Sequence, residues 1–123
     1  MLVPGSKILK AAQDGQYAVP AFNINNLEIL EGVMQAAVEL RSPVFISTSQ
    51  GAISYAGMEY LGAMVRVAAK ERVPIALHLD HGTDLSIVRA AINSGYYTSV
   101  MYDGSALSYA DNLAATKKVV QLA

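Results

Sequence analysis

The chain has 123 residues, 53% hydrophobic and 15% charged, a globular composition whose length suits one small domain. Nine basic and ten acidic side chains leave a net charge of −1, which offers no footing for nucleic acid or an anionic membrane surface. The absence of cysteine excludes disulfides and thiolate metal sites and suits a reducing, cytoplasmic setting.

The N-terminal MLVPGSKILK lacks a basic segment followed by an apolar one, so no signal peptide is expected there. A first helix is expected over about Ser6 to Gln13. AVPAFNI (18–24) then has the length and composition of a strand. Leu27, Leu30, Met34, Ala37 and Val38 follow helical spacing, and Asn25, three residues before Glu28, is the expected N-cap. PVFIST (43–48) is a second strand, followed by STSQGA, read as a polar loop. The uncharged stretch from Ser42 to Met58 carries five Ser/Thr residues and two glycines, so it is no membrane span. Leu61, Met64, Val65 and Ala68 mark the next helix, and PIALHL (74–79) the third strand. Val88, Ala91 and Ile92 mark another helix, which Ser94-Gly95 should close with a left-handed glycine. TSVMY (98–102) is the fourth strand, and a last helix runs from about Tyr109 to the end.

The order is therefore one helix followed by four βα units, within a single domain spanning 1–123 and without a linker. Strands that are apolar on both faces and separated by helices predict a parallel sheet in sequential order, with right-handed crossovers and helices on one outer face. A (β/α)8 barrel takes ~250 residues, so the chain corresponds to about half of one.

The chemistry concentrates where strands end. His78 and Asp80 share a strand face by alternation, and His81 falls at the strand's end, the pole where parallel α/β folds bind ligands. Imidazole and carboxylate suit a divalent cation and proton transfer. Spacing alone leaves a packed histidine and a capping carboxylate, with Thr83 the better N-cap, as an equal reading. Asp103 in MYDGS could ligate a metal or serve a βα turn. Ser49 and Gly51 could expose backbone amides to a phosphate, and Asn23 is a polar residue at the end of the first strand. No lysine lies in a strand, where desolvation would favour Schiff-base chemistry. The tyrosines and methionines are scattered and read as packing.

Together, YAVPAFNINNLE, SPVFISTSQGA, VPIALHLDHG and TSVMYDGS resemble, in order and spacing, the class II metal-dependent fructose-bisphosphate aldolases and their tagatose-bisphosphate relatives. The hydrophobic-His-x-Asp-His-Gly element is the specific part of the match. The resemblance implies a (β/α)8 TIM barrel and reversible cleavage of fructose 1,6-bisphosphate to dihydroxyacetone phosphate and glyceraldehyde 3-phosphate, with tagatose bisphosphate the alternative substrate. By motif, Asp80 resembles the proton carrier, His81 a ligand of catalytic Zn2+ and Asp103 a ligand of a second metal position. Asn23 and Ser49 match substrate contacts, and His78 takes no ligand role. SGYYTSVMY departs from the family by one extra residue and by Tyr102 in an aliphatic position. The family's Glu-x-Glu strand, further zinc histidines and glycine-rich phosphate loop have no counterpart in the chain. The isolated chain is accordingly expected to be inactive, to hold zinc weakly and to self-associate. A non-catalytic half-barrel is the alternative reading.

Overall fold

The computed structural model describes residues 1–123. Its elements are α1 (Gly5–Gly15), β1 (Ala21–Asn23), α2 (Leu27–Glu39), β2 (Val44–Ser49), α3 (Gln50–Ala56), α4 (Met58–Ala68), β3 (Ile75–Gly82), α5 (Leu85–Asn93), β4 (Ser99–Tyr102) and α6 (Tyr109–Leu122). The four strands form one parallel sheet in the order β1-β2-β3-β4. This is the α/β architecture that the alternation of elements predicts.

The sheet is covered on both faces, which explains its unbroken apolar runs. On one face Val44 and Ile46 of β2 and Ile75, Leu77 and Leu79 of β3 pack with Leu30 and Met34 of α2. Leu61 and Val65 of α4 and Val88 and Ala91 of α5 complete that core. Burying each such aliphatic side chain contributes about 1.5–3 kcal/mol before entropy is counted. On the other face a smaller cluster joins Phe45 and Ala76 to Val3 and to Ile8 of α1. So the helices do not all lie on one face. α1 seals the N-terminal end of the inner face, and Ala76 is fully buried there. Backbone bonds from Val3 N–H to the Ile75 carbonyl (2.8 Å) and from Gly5 N–H to the Thr98 carbonyl (3.1 Å) anchor this segment.

The inner face is graded along the strands. Ala21, Phe45 and Ala76 are in register at the sealed end. One alternation further on, Asn23, Ser47, His78 and Ser99 form a polar row across all four strands. The next level pairs Ser49 with Asp80 at the carboxyl pole. Hydrophobic burial fixes the lower level, and the upper two are left for polar contacts.

Several local details differ from the sequence reading. Asn26, not Asn25, caps α2, its side chain accepting from Ile29 N–H at 3.0 Å. Asp84, not Thr83, caps α5, accepting from Ser86 N–H at 2.7 Å. STSQGA is not a loop: its first three residues end β2, and Ser49 Oγ accepts from Ala52 N–H at 3.1 Å and starts α3. Gly57, with φ 86°, separates α3 from α4 in a conformation costly for any residue with a Cβ. Gly95 is left-handed (φ 69°), as expected after α5. The tyrosines of SGYY are more than filler. Tyr97 Oη meets Thr48 Oγ1 at 2.7 Å in the interior, and the Arg66 guanidinium lies 4.5 Å over the Tyr96 ring. No helix is long and apolar enough to cross a membrane.

Candidate functional site

β3 is longer than its apolar run and irregular at its end. Its register with β4 passes from Leu79↔Val100 to Gly82↔Tyr102, so Asp80 and His81 span the length that Met101 spans alone. One extra residue in a strand is a β-bulge. His81 takes it up with φ 52°, a left-handed value uncommon outside glycine but enriched for histidine. The bulge stops the alternation of side chains, so Asp80 and His81, though adjacent, both belong to the carboxyl pole. His81 Nε2 lies 3.9 Å from Asp80 Oδ1.

Each of these side chains has an orienting partner from another part of the sheet. Asn23, at the end of β1, donates through Nδ2 to Asp80 Oδ2 at 3.0 Å. Asp103, just after β4, meets His81 Nδ1 at 2.7 Å through Oδ2, while its Oδ1 accepts from Ser105 N–H at 2.9 Å. The bonds from Ser105 and His81 hold the Asp103 carboxyl well below the usual carboxylate range. Because that carboxylate can only accept, the His81 Nδ1 carries the hydrogen, and the neutral ring presents the Nε2 lone pair outward. The same bond, ahead of the Asp80 charge, raises the His81 pKa. Its ring is two-thirds exposed.

His78 lies one level lower and behaves differently. Its Nδ1 is 2.7 Å from Ser99 Oγ, its ring meets Phe45 edge-on, and burial pushes its pKa down. It is a neutral structural imidazole in the polar row. Ser49 uses one of its two acceptor lone pairs to cap α3, and its hydroxyl proton can still be donated to a ligand. Asn23, Ser49, Gly51 and Tyr55 are among the walls of an open recess of about 300 Å3 beside the pole.

The five residues singled out from the sequence thus gather at one end of the sheet. Asp103 has a role that spacing could not show, since it holds His81 across 22 positions of sequence. The donor chemistry fits one position of a divalent-metal ligand set, His81 Nε2, with the carboxylate behind the imidazole that metal-binding histidines ordinarily carry. No three His, Cys, Asp or Glu side chains converge into a group that could hold a metal on their own. Sequence reasoning missed Ser99, which fixes His78, and Gln50, which bonds to Thr83 and Asp84 beyond the bulge. Neither carries a local signal, because each partner lies 20 or more positions away.

The family model described as fructose-bisphosphate aldolase class-II matches residues 3–123. Fructose-bisphosphate aldolase of Thermus caldophilus is 42% identical over 123 residues, covering 100% of this chain and 40% of that protein. The Helicobacter pylori (strain ATCC 700392 / 26695) enzyme of the same name is 43% identical over 125 residues, with the same coverage. The crystal structure of the YdjI aldolase from Escherichia coli K12 superimposes with a TM-score of 0.90 at 36% identity, over 98% of this chain and 46% of that one. Fructose-bisphosphate aldolase from Campylobacter jejuni does so with a TM-score of 0.81 at 26% identity, over 98% and 44%. The chain spans about 40% of the length of the curated relatives it matches. The family model and the curated relatives, both matching over essentially the whole chain, place this protein in the class II fructose-bisphosphate aldolase family.

Proposed function

We propose that these residues form one wall of a metal-dependent aldolase site that cleaves a ketose bisphosphate, fructose 1,6-bisphosphate in the first instance. The observation that carries the reading is the bulge, which turns a proton acceptor and a metal-ligating imidazole to one pole. A bound divalent cation, zinc in general for this family, supplies Lewis-acid polarisation of the substrate ketone. Asp80 takes the proton from the C4 hydroxyl as the C3–C4 bond breaks and returns it in the condensation direction. Asn23 holds one Asp80 oxygen and leaves the other to face the substrate. Asp103 keeps the His81 hydrogen on Nδ1, so that Nε2 is the ligating nitrogen. In this reading Asp103 acts through His81 and, in the assembled enzyme, can also reach a second metal position. The Ser49 hydroxyl donates to a phosphate or sugar oxygen from the wall of the recess.

These residues offer one imidazole ligand, and no group of three potential ligands forms among them. The 123-residue chain alone is therefore proposed to lack turnover and to hold zinc weakly, since catalytic zinc sites use three protein ligands. β1 and β4 are edge strands of the sheet, and Phe22 is about half exposed on the former. Unpaired edges favour self-association, which light scattering reads directly. A cytoplasmic location fits the cysteine-free composition.

The test replaces the matching segment of the Thermus caldophilus enzyme with residues 1–123. In that chimera Asp80→Ala loses about 10²–10⁴-fold in kcat while keeping its zinc, the range for removing a general base. His81→Ala loses both activity and zinc. An Asp80→Ala chimera with near-normal kcat would refute the proton-carrier role.

A further inference from the structure

The short connection after the bulge is held from both sides. On the β4 side, Asp103 N–H donates to the Gly82 carbonyl at 2.9 Å. On the β2 side the ladder ends at Ser49↔Asp80, because β2 turns into α3 there. Gln50, the first residue of α3, takes over where the ladder stops. Its side-chain amide bonds at both ends: Nε2 donates to Thr83 Oγ1 at 2.9 Å, and Oε1 accepts from Asp84 N–H at 2.9 Å. The side chain therefore accepts from Asp84 N–H as a neighbouring strand's carbonyl would inside a sheet, and holds the Thr83 hydroxyl with its amide nitrogen. It is half-buried, and its backbone is fixed by the Ser49 cap.

His81 needs this support. A left-handed backbone at a residue with a Cβ persists only where its surroundings over-determine it. Its ring is exposed, so packing does not hold it, and its orientation rests on the backbone and on Asp103. We propose that Gln50 is a positioning residue for His81. Clamping Thr83 and Asp84 keeps the bulge in its left-handed form and so keeps Nδ1 on Asp103 and Nε2 toward the pole. The functional meaning of that geometry rests on the aldolase reading. The geometry itself does not.

The experiment uses the 123-residue chain, without metal or substrate, at a pH above the imidazole titration range. Ring nitrogen shifts of His81 report its tautomer, and amide hydrogen exchange reports the Asp103-to-Gly82 bond. In Gln50→Ala, His81 is expected to change from mainly Nδ1–H to a mixture of tautomers. The Asp103 amide is expected to exchange about fivefold to tenfold faster, the factor that one hydrogen bond is worth. Amides inside β2 and at Leu77 should be unchanged. Gln50→Glu can accept from both the Asp84 amide and the Thr83 hydroxyl, so it should restore the wild-type tautomer. An unchanged tautomer and exchange rate in Gln50→Ala overturn the proposal. So does a uniform acceleration of all amides, which would mean that Gln50 serves global stability only. Loss of turnover in the chimera's Asp80→Ala variant has no bearing on these spectra, so the two readings fail separately.

Discussion

The last residue of the His-x-Asp-His-Gly element can be tested for what it contributes. Gly82 has no positive φ, so its requirement is space. A Cβ built there would lie 2.7 Å from Val88 Cγ2, 2.9 Å from Leu79 Cδ2 and 3.0 Å from the Met101 carbonyl oxygen. Carbon atoms in contact settle at about 3.5–4.0 Å, so each neighbour would have to retreat by several tenths of an ångström or more. Val88 and Leu79 are fully buried and the third neighbour is backbone, which leaves little room to yield. Overpacking of this kind costs about 1–3 kcal/mol, offset by about 0.4–1 kcal/mol from the stiffer unfolded chain. Gly82→Ala is therefore expected to lose about 1–2 kcal/mol in urea denaturation. Gly51→Ala is the control, since that glycine lies in α3 with only Ser49 Oγ nearby, at 3.6 Å. There alanine should gain up to about 1 kcal/mol from helix propensity. The Gly82 variant should also disturb the His81 and Asp103 resonances, because the strand that yields is the bulged one. A Gly82→Ala protein as stable as Gly51→Ala, with His81 undisturbed, would refute the packing argument.

The two histidines should titrate in opposite directions from the ordinary value of 6.5, His78 below it through burial and His81 above it through Asp103. The His81 contribution to stability is then complete below 6.5 and is lost as pH rises through its folded value. His78 instead penalises the fold as pH falls from 6.5 through its depressed value. Since the chain has only two histidines, one NMR titration checks the order. The buried Thr48–Tyr97 pair should behave as a unit. Tyr97→Phe or Thr48→Val alone strands a buried hydroxyl and costs about 1–3 kcal/mol, while the double variant costs less than the sum of the two. A strictly additive urea cycle would show that the bond contributes nothing.

The fold was legible where burial made the pattern. β2 and β3 are covered on both faces by α1 on one side and α2, α4 and α5 on the other, so their apolar runs stand out. β1 is shorter than its run because it is an edge strand with one neighbour, and only Ala21–Asn23 pair. α3 was hidden by its own composition, since its 7 residues include Gly51 in the first turn, which weighs against a helix. The cap from Ser49 decides the matter. Asn25 and Asn26 are chemically identical, and the cap falls to Asn26, whose backbone is extended with φ −150°. Composition cannot rank two such neighbours.

The candidate site was legible as a set of residues and not as a geometry. Strict alternation along β3 would put His78, Asp80 and Gly82 on one face and turn His81 toward the helices with Leu77 and Leu79. An imidazole buried there would lose its water and find only aliphatic partners, which burial of a polar group does not permit. Nothing in the letters His-Leu-Asp-His-Gly announces an extra residue. The extra residue shows only against β4, where Met101 alone spans what Asp80 and His81 span together. The bulge also explains why Asp103 reaches His81 and Asn23 reaches Asp80 from opposite sides of the sheet. Two adjacent side chains can serve one pole only if the strand stops alternating, and the left-handed backbone at His81 is where it stops.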